Sequence, residues 1–371
     1  MKFKEMLNDP KLLLNIENKG FKEPSKIQED SFQFIKDGHD LLARSETGSG
    51  KTLAFVLPLL EKLEYEVISP KILIVCPTRE LVEQVAKEIR GIAKGIREIK
   101  VVTIYGGVSI GRQVASIKRG QNIVVATPGR LLDHIRRNTM KLNTIETLVL
   151  DEADEMLNMG FKDDIEKIIN KTKKEKQLLL FSATLPFHIK KLAKKYMKNP
   201  KQLEIGKENK SLDNIEQKYV YIKKEKKKDF LISFLKNNKD SKFLIFSNTR
   251  LMSEKLSKEI NKNNIKNVCI HGEIKQFMRK KMMDQIKNNS AKIMVATDVA
   301  ARGIDIDDID YVVNYDVSDN SESYLHRIGR TARAGKKGSA INIVTNPKEK
   351  SLLNRHIKFS NSTIKELKFN N

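Results

Sequence analysis

Eight residues, Ser45-Glu46-Thr47-Gly48-Ser49-Gly50-Lys51-Thr52, restrict this chain more than any other stretch. An apolar run before them, Asp40-Leu41-Leu42-Ala43, predicts a short buried strand, and Leu53-Ala54-Phe55-Val56-Leu57 after them predicts the apolar face of a helix. A turn of small residues between strand and helix leaves backbone N–H groups free to surround a phosphate chain. Gly48 and Gly50 permit the tight path, Lys51 places a charge for β- and γ-phosphates, and Thr52 offers a hydroxyl to Mg²⁺. The pattern G-x-x-x-x-G-K-[S/T] is met except at its first place, where Ser45 stands. A merely solvated glycine-rich turn is the bland alternative, and the flanking strand and helix count against it.

Strand and helix patterns alternate along the rest of the chain, as in parallel α/β sheets. Runs at 72–75, 101–104, 123–125, 148–150 and 178–181 are apolar but for Thr103, which fits strands buried on both faces. Residues Gly206 to Asn214 are polar and lack periodicity, so they read as a linker. Beyond them the alternation restarts at 217–222, 243–246, 268–270, 293–295 and 311–313, with a final strand at 340–344. The expected organisation is an N-terminal domain at 1–206, a linker at 207–214 and a C-terminal domain at 215–371. No tandem repeat is evident, and only the first half carries a phosphate-binding turn.

Across 371 residues, 70 Lys and Arg face 47 Asp and Glu, a net charge of +23 that points to a polyanionic partner such as nucleic acid. A Lys-rich surface that only aids solubility is the alternative. The basic runs 171–176 and 223–228 read as solvated turns ahead of a dedicated RNA patch. Residues 1–16 read as an amphipathic helix rather than a secretory signal, and no apolar run is long enough to span a membrane, so a cytoplasmic setting with no membrane partner is expected. Cys76 and Cys269 lack metal-ligand spacing and read as buried thiols at strand ends.

Asp151-Glu152-Ala153-Asp154 directly follows the strand pattern at 148–150. Carboxylates at the end of a buried strand downstream of a phosphate turn complete a nucleotide site. Asp151 helps hold Mg²⁺, and Glu152 is placed to orient or deprotonate the attacking water.

Taken together, these motifs resemble those of the DEAD-box ATP-dependent RNA helicases of superfamily 2, and the resemblance runs from Phe3 to about Pro347. It implies two tandem RecA-like domains, each a mostly parallel sheet flanked by helices. Gly20-Phe21-Lys22-Glu23-Pro24-Ser25-Lys26-Ile27-Gln28 resembles the family's Q motif, which implies that Phe21 stacks on adenine and Gln28 bonds its edge. By its residue type alone, Phe21 would more often be core. Pro77-Thr78-Arg79-Glu80-Leu81, the Gly106-Gly107 doublet and Thr127-Pro128-Gly129-Arg130 resemble the RNA-contacting loops, with Arg79, Gly106, Gly107, Thr127 and Arg130 lining a phosphate track. Ser182-Ala183-Thr184 resembles the coupling motif, with Asp154 as partner; Thr184 also reads as a helix N-cap.

In the second half, Leu244 to Arg250 (with Thr249), His271-Gly272 with Gln276 and Arg279, and Ala296 to Asp305 resemble further family motifs. They imply RNA contacts for Thr249, Gln276, Arg279 and Thr297, and an ATP ribose contact for Asp305. His326-Arg327-Ile328-Gly329-Arg330-Thr331-Ala332-Arg333 resembles the last motif, with His326 in coupling. Arg330 and Arg333, i and i+3, would project one way from a helix turn toward the γ-phosphate. The family more often has Gly where Ala332 stands.

The implied activity is RNA-stimulated hydrolysis of ATP with Mg²⁺. It would be coupled to domain closure and to local unwinding of short RNA duplexes or remodelling of RNA–protein complexes. An ATP-gated RNA clamp with little unwinding uses the same motifs. A DNA translocase would lack both the Phe21/Gln28 motif and the Asp-Glu-Ala-Asp string. A ribosome or an RNA-degradation complex is a candidate partner, and the physiological RNA is unassigned.

Overall fold

The computed structural model describes residues 2–45, 49–63, 69–96, 98–205, 214–301, 309–332 and 336–369. Glu46, Thr47, Gly48, Asp305, Arg333 and linker residues 207–213 lie outside the described residues, as does the side chain of Gln276. The chain divides into two compact units, Met1–Gly206 and Lys207–Asn371.

Unit 1 is built on seven strands: β1 (Leu41–Ser45), β2 (Ile72–Val75), β3 (Val101–Ile104), β4 (Ile123–Ala126), β5 (Thr147–Leu150), β6 (Gln177–Ser182) and β7 (Lys201–Ile205). Their order across the sheet is β3-β4-β2-β5-β6-β1-β7, with every pairing parallel. Successive side chains of a strand point to opposite faces. Ile72 and Ile74 of β2 accordingly enter one apolar cluster, Leu73 and Val75 the other. Each face is covered by helices, which is why the strands read as unbroken apolar runs.

Unit 2 is built on β8 (Ile215–Tyr221), β9 (Phe243–Phe246), β10 (Asn267–Ile270), β11 (Ile293–Ala296), β12 (Tyr311–Asn314), β13 (Gly338–Val344) and β14 (Lys365–Glu366). The order is β10-β11-β9-β12-β13-β8-β14, again all parallel. With β8 set against β1, β9 against β2 and so on, the two orders coincide strand for strand. The molecule therefore repeats one topology twice, although the sequence shows no tandem repeat.

Four expectations need correction. The N-terminal segment is two helices, Phe3–Met6 and Pro10–Asn18, because Asp9 caps the second through Lys11 N (2.7 Å) and Pro10 takes its first position. Two edge strands escaped the apolar criterion: β7, whose residues are exposed or half-buried, and the two-residue β14, so 340–344 is not the last strand. Cys76 is buried beyond β2, but Cys269 is only half-buried and lies within β10. In the basic run 223–228, Lys227 is buried and paired with Asp316 (2.8 Å) rather than solvated. Among the described residues no helix is long and apolar enough to cross a membrane.

Candidate nucleotide pocket and nucleic-acid interface

The carboxyl ends of parallel strands carry the candidate residues, since the connections to the following helices converge there. Ser45 closes β1, and helix Lys51–Glu61 begins six residues later behind Gly50 (φ 90°). Two constraints require glycine at 50. The backbone is left-handed, and a Cβ would lie 2.9 Å from Ser25 Oγ and still closer to the Gln28 amide. Ser25 Oγ donates to Ser49 O (2.8 Å) and Gln28 Nε2 to Gly50 O (3.1 Å), while Gln28 Oε1 accepts from Ser25 N (2.9 Å). The Phe21–Gln28 segment is thus bolted to the phosphate turn. Among the described residues, Gln28 spends one donor and one lone pair on this, which leaves one of each in its amide. Phe21 is 39% exposed, so it is no core residue, and a flat apolar face is presented to solvent.

Lys51 is buried and its Nζ donates to Ser45 O (2.8 Å), which folds the ammonium over the turn. Ser45 Oγ donates to Ser49 Oγ (2.5 Å). The backbone of Ser49 and Gly50, the start of an eleven-residue helix and a buried lysine together fit a phosphate chain. Thr52 stands at the second position of that helix.

Beyond β5, Asp151 is buried, and burial first, then the charge of Glu152, pushes its carboxyl up to about 7 against the pull of Lys51. A carboxylate so placed calls for a cation. Hydroxyl and carboxylate oxygens are the hard donors Mg²⁺ takes, together with phosphate oxygens and water. Glu152 sits at φ 52°, ψ 52°, a left-handed conformation costly for a non-glycine residue. Burial also raises the Cys76 thiol well above its ordinary value, with Asp151 and Glu152 adding to it, so this cysteine is inert.

Asp154 is fully buried. Its Oδ2 accepts from both the backbone N–H and the hydroxyl of Thr184 (2.8 Å each), and Ser182 Oγ donates to Thr184 O (2.6 Å). This ties the loop after β6 to the carboxylate string after β5. The helix that follows starts only at Phe187, with Pro186 as its cap, so Thr184 is not an N-cap.

Loops after β2, β3 and β4 meet as well. Thr78 caps helix Arg79–Ile92, and the Arg79 guanidinium lies against Gly106 and Gly107, where a Cβ at 107 would overlap it. Gly107 has φ 83°. Arg130 Nη1 donates to Val108 O (3.0 Å), and Thr127 stands at the N-terminal boundary of the helix that carries Arg130.

Unit 2 places the corresponding residues likewise. Thr249 caps helix Arg250–Lys262 and is exposed, Thr297 ends the loop after β11, and His271 and Gly272 follow β10. His271 Nε2 lies 3.2 Å from Glu254 Oε1. Arg279 departs from its expected place on an RNA-facing surface: it is 9% exposed and donates to Ala300 O (2.7 Å), inside the unit. His326 lies on helix Ser321–Ile328, which ends before Arg330; Arg330 therefore stands on the turn beyond the helix rather than on a helical one. Ala332 has φ 58°.

Sequence reasoning gave no role to Arg327, which is 1% exposed. Its five N–H groups all have acceptors: Nε and Nη2 bind the Asp298 carboxylate (2.5 and 2.7 Å), Nη2 also Asn248 Oδ1 (2.8 Å), and Nη1 Asn314 Oδ1 (3.2 Å) and Asp316 O (2.7 Å). A buried guanidinium is tolerated only when its donors are satisfied in this way. Its partners lie at or just beyond the ends of β9, β11 and β12, so no local pattern could have announced the cluster.

With this geometry in hand, comparison with known proteins is direct. The DEAD/DEAH box helicase family model matches residues 25–192, and the helicase conserved C-terminal domain matches 225–335. The chain is 42% identical over 342 residues to the DEAD-box ATP-dependent RNA helicase CshA of Bacillus subtilis, covering 92% of this chain and 69% of that protein. Against CshA of Listeria monocytogenes it is 41% identical, covering 95% and 67%. The chain thus spans about two thirds of the length of these relatives. Among solved structures, S. cerevisiae Dbp5 bound to RNA and ADP BeF3 is similar with a TM-score of 0.89 at 31% identity, over 99% of this chain and 95% of that one. Mss116p bound to ssRNA and AMP-PNP gives 0.86 at 28%, over 99% and 78%. Two parallel RecA-like units, a phosphate turn bolted to the Phe21–Gln28 segment and a carboxylate string tied to Thr184 converge with these relatives on one conclusion: the chain belongs to the DEAD-box family of ATP-dependent RNA helicases, enzymes that hydrolyse ATP.

Proposed function

We propose that ATP and RNA each favour closure of the two units, and that closure completes the hydrolytic site while opening a short RNA duplex locally. The observation that carries this reading is the division of labour. The phosphate turn, Asp151 and Glu152 belong to unit 1, and Arg330 belongs to unit 2. Neither half is a complete phosphoryl-transfer site.

In this reading Phe21 stacks on adenine and the remaining amide capacity of Gln28 reads its edge. Backbone N–H groups of 45–50 with Lys51 hold the phosphates. Thr52 and Asp151 are the residues that would hold Mg²⁺, which supplies neutralisation of phosphate charge when bound. Glu152 holds the attacking water. Arg330 and Arg333 meet the charge that spreads over the transferred phosphoryl group, and Asp305 meets the ribose. Asp154 and Thr184 transmit RNA occupancy to the carboxylates, with His326 as the unit 2 partner. Arg79, Gly106, Gly107, Thr127 and Arg130 form one half of an RNA backbone track, and Thr249, Gln276 and Thr297 the other. Two ligands that prefer the same state strengthen each other's binding reciprocally. Base-pair stacking is worth about 1.4 kcal/mol per step in DNA, so one closure opens a few pairs. Two free cysteines accord with a reducing, cytoplasmic setting.

Arg330→Ala is the test. ATP binding should persist and RNA-stimulated hydrolysis should fall about 10³-fold. Equal turnover by variant and parent removes Arg330 from catalysis. A strand-displacement assay on a short duplex separates unwinding from clamping, since a clamp holds RNA and releases no strand.

A further inference from the structure

Gln113 and His134 are buried polar residues that the mechanism above does not use. Gln113 is the fourth residue of helix Ile110–Lys118 and is 5% exposed. Its amide nitrogen donates to Tyr105 O (2.9 Å), just before the Gly106–Gly107 turn. Its oxygen accepts from Arg130 Nη1 (3.1 Å) and from His134 Nε2 (2.9 Å). An amide oxygen only accepts, so Nε2 carries the proton. The other ring nitrogen lies 2.8 Å from Thr139 Oγ1, and the ring is wholly buried. The segment Tyr105–Val108 is therefore held at both ends: Gln113 grips the carbonyl of Tyr105, and Arg130, itself held by Gln113, grips that of Val108.

We propose that Gln113, backed by His134, is a positioning residue for RNA binding: it sets the aim of Arg130 and the shape of the Gly106–Gly107 turn without touching RNA. A second observation supports it independently. The matching helix of unit 2, Gln276–Lys287, carries Arg279 as its fourth residue, and Arg279 is likewise buried and bonded to the segment after the next strand, at Ala300 O. Both units tie the helix beyond the third loop to the segment beyond the fourth, one with an amide and one with a guanidinium. His134 matters because removing its acceptor leaves a buried N–H unpaired, so the Gln113 oxygen is fixed by two donors.

The inference rests on the reading of Arg79, Arg130 and the glycine pair as RNA contacts, and the experiment keeps the two apart. Gln113→Met and Arg130→Ala are made singly and together in the full chain. Binding of a fluorescein-labelled 12-nucleotide single-stranded RNA is measured with AMP-PNP over a range of salt. Gln113→Met should weaken binding about tenfold, the worth of one well-placed hydrogen bond to a charged group. It should also lower the salt slope in the direction of Arg130→Ala. The double variant should lose less than the product of the two single losses, because Gln113 acts in part through Arg130. Multiplicative losses, or parental binding by Gln113→Met while Arg130→Ala is impaired, overturn the inference alone. Parental binding by Arg130→Ala overturns the RNA-track reading and the inference with it. Gln113→Glu, which keeps an acceptor for Arg130 and His134 but sets an anionic oxygen against Tyr105 O in place of the donor, is the second variant should Gln113→Met fail to fold. It should weaken binding less than Arg130→Ala, and an equal loss overturns the assignment.

Discussion

Lys51 stands six residues beyond the end of β1, and Lys227 stands six residues beyond the end of β8, the strand that occupies the same place in the second sheet. Both are buried. Across from each lies an aspartate after the matching strand, Asp151 beyond β5 and Asp316 beyond β12. In unit 2 the two close on each other at 2.8 Å, and the ammonium also lies 4.3 Å over the ring of Tyr315. In unit 1 Lys51 donates to a backbone carbonyl instead, and burial leaves Asp151 with a raised pKa. The connection from β8 carries lysines and a short 3-10 turn where that from β1 carries glycines. One scaffold thus holds its lysine and aspartate ready for a ligand, while its copy has spent them on an internal ion pair. Topology positions charges; the loop decides whether they are available.

The largest effect should separate the two lysines. Lys51→Ala should cut ATP hydrolysis by at least about 100-fold. Lys227→Met should leave ATP affinity intact and destabilise unit 2 by about 2 kcal/mol, because Asp316 loses its cation in a half-buried place. Turnover and urea denaturation of both variants check this. A Lys227 variant that loses hydrolysis at unchanged stability breaks the comparison.

A pH series probes both units at once, since His134 in unit 1 and His356 in unit 2 are fully buried imidazoles whose pKa is lowered. Burial, then the charge of Arg130, lowers the pKa of His134; burial lowers that of His356, which donates through Nε2 to Ser318 O (2.8 Å). The unfolded chain takes up a proton near pH 6.5 while the folded one resists it. Each histidine's contribution is therefore complete above about 6.5 and is lost as pH falls below it. Between pH 7.5 and 5.5 the two rings pull the urea midpoint down while Asp151, whose carboxyl is raised to about 7, pulls it up, so the readout is the gap between parent and His356→Gln, which should narrow as pH falls. A gap between parent and His356→Gln that stays constant across this window would show that the His356 ring does not resist protonation.

The smallest effect concerns strain. Among the described residues, seven besides glycine have positive φ; five are asparagine, and the others are Glu152 in unit 1 and Ala332 in unit 2. Asparagine tolerates this region and alanine does not, at about 1 kcal/mol. Ala332→Gly should raise the melting temperature by no more than a few degrees, because glycine's extra unfolded-state entropy offsets part of the relief. A fall in melting temperature would mean that the alanine methyl makes a contact worth more than the strain.

Strand identity was legible because strands buried on both faces leave an unbroken apolar record, as at Ile72–Val75. β7 left none: Lys201-Gln202-Leu203-Glu204-Ile205 is an edge with no fully buried residue. The phosphate turn and the carboxylate string were legible because their chemistry is local. Arg327, Gln113 and Lys227 were not, since each gains its meaning from partners 8 to 89 residues away. In a run of lysines the buried one looks like its neighbours. The duplication was hidden for the same reason: parallel order is a property of the sheet, and loops of different composition erase it from the sequence.

Arg327 and Arg330 stand three positions apart in one motif, yet they will fail in different ways. A guanidinium with every N–H engaged at home has nothing left to offer nucleotide or RNA, so its replacement removes a keystone and lets three loops drift. Genetic selections that count survivors will score the two positions alike. Protein recovered from the cell will not, because one variant should be full-length, folded and idle, and the other scarce.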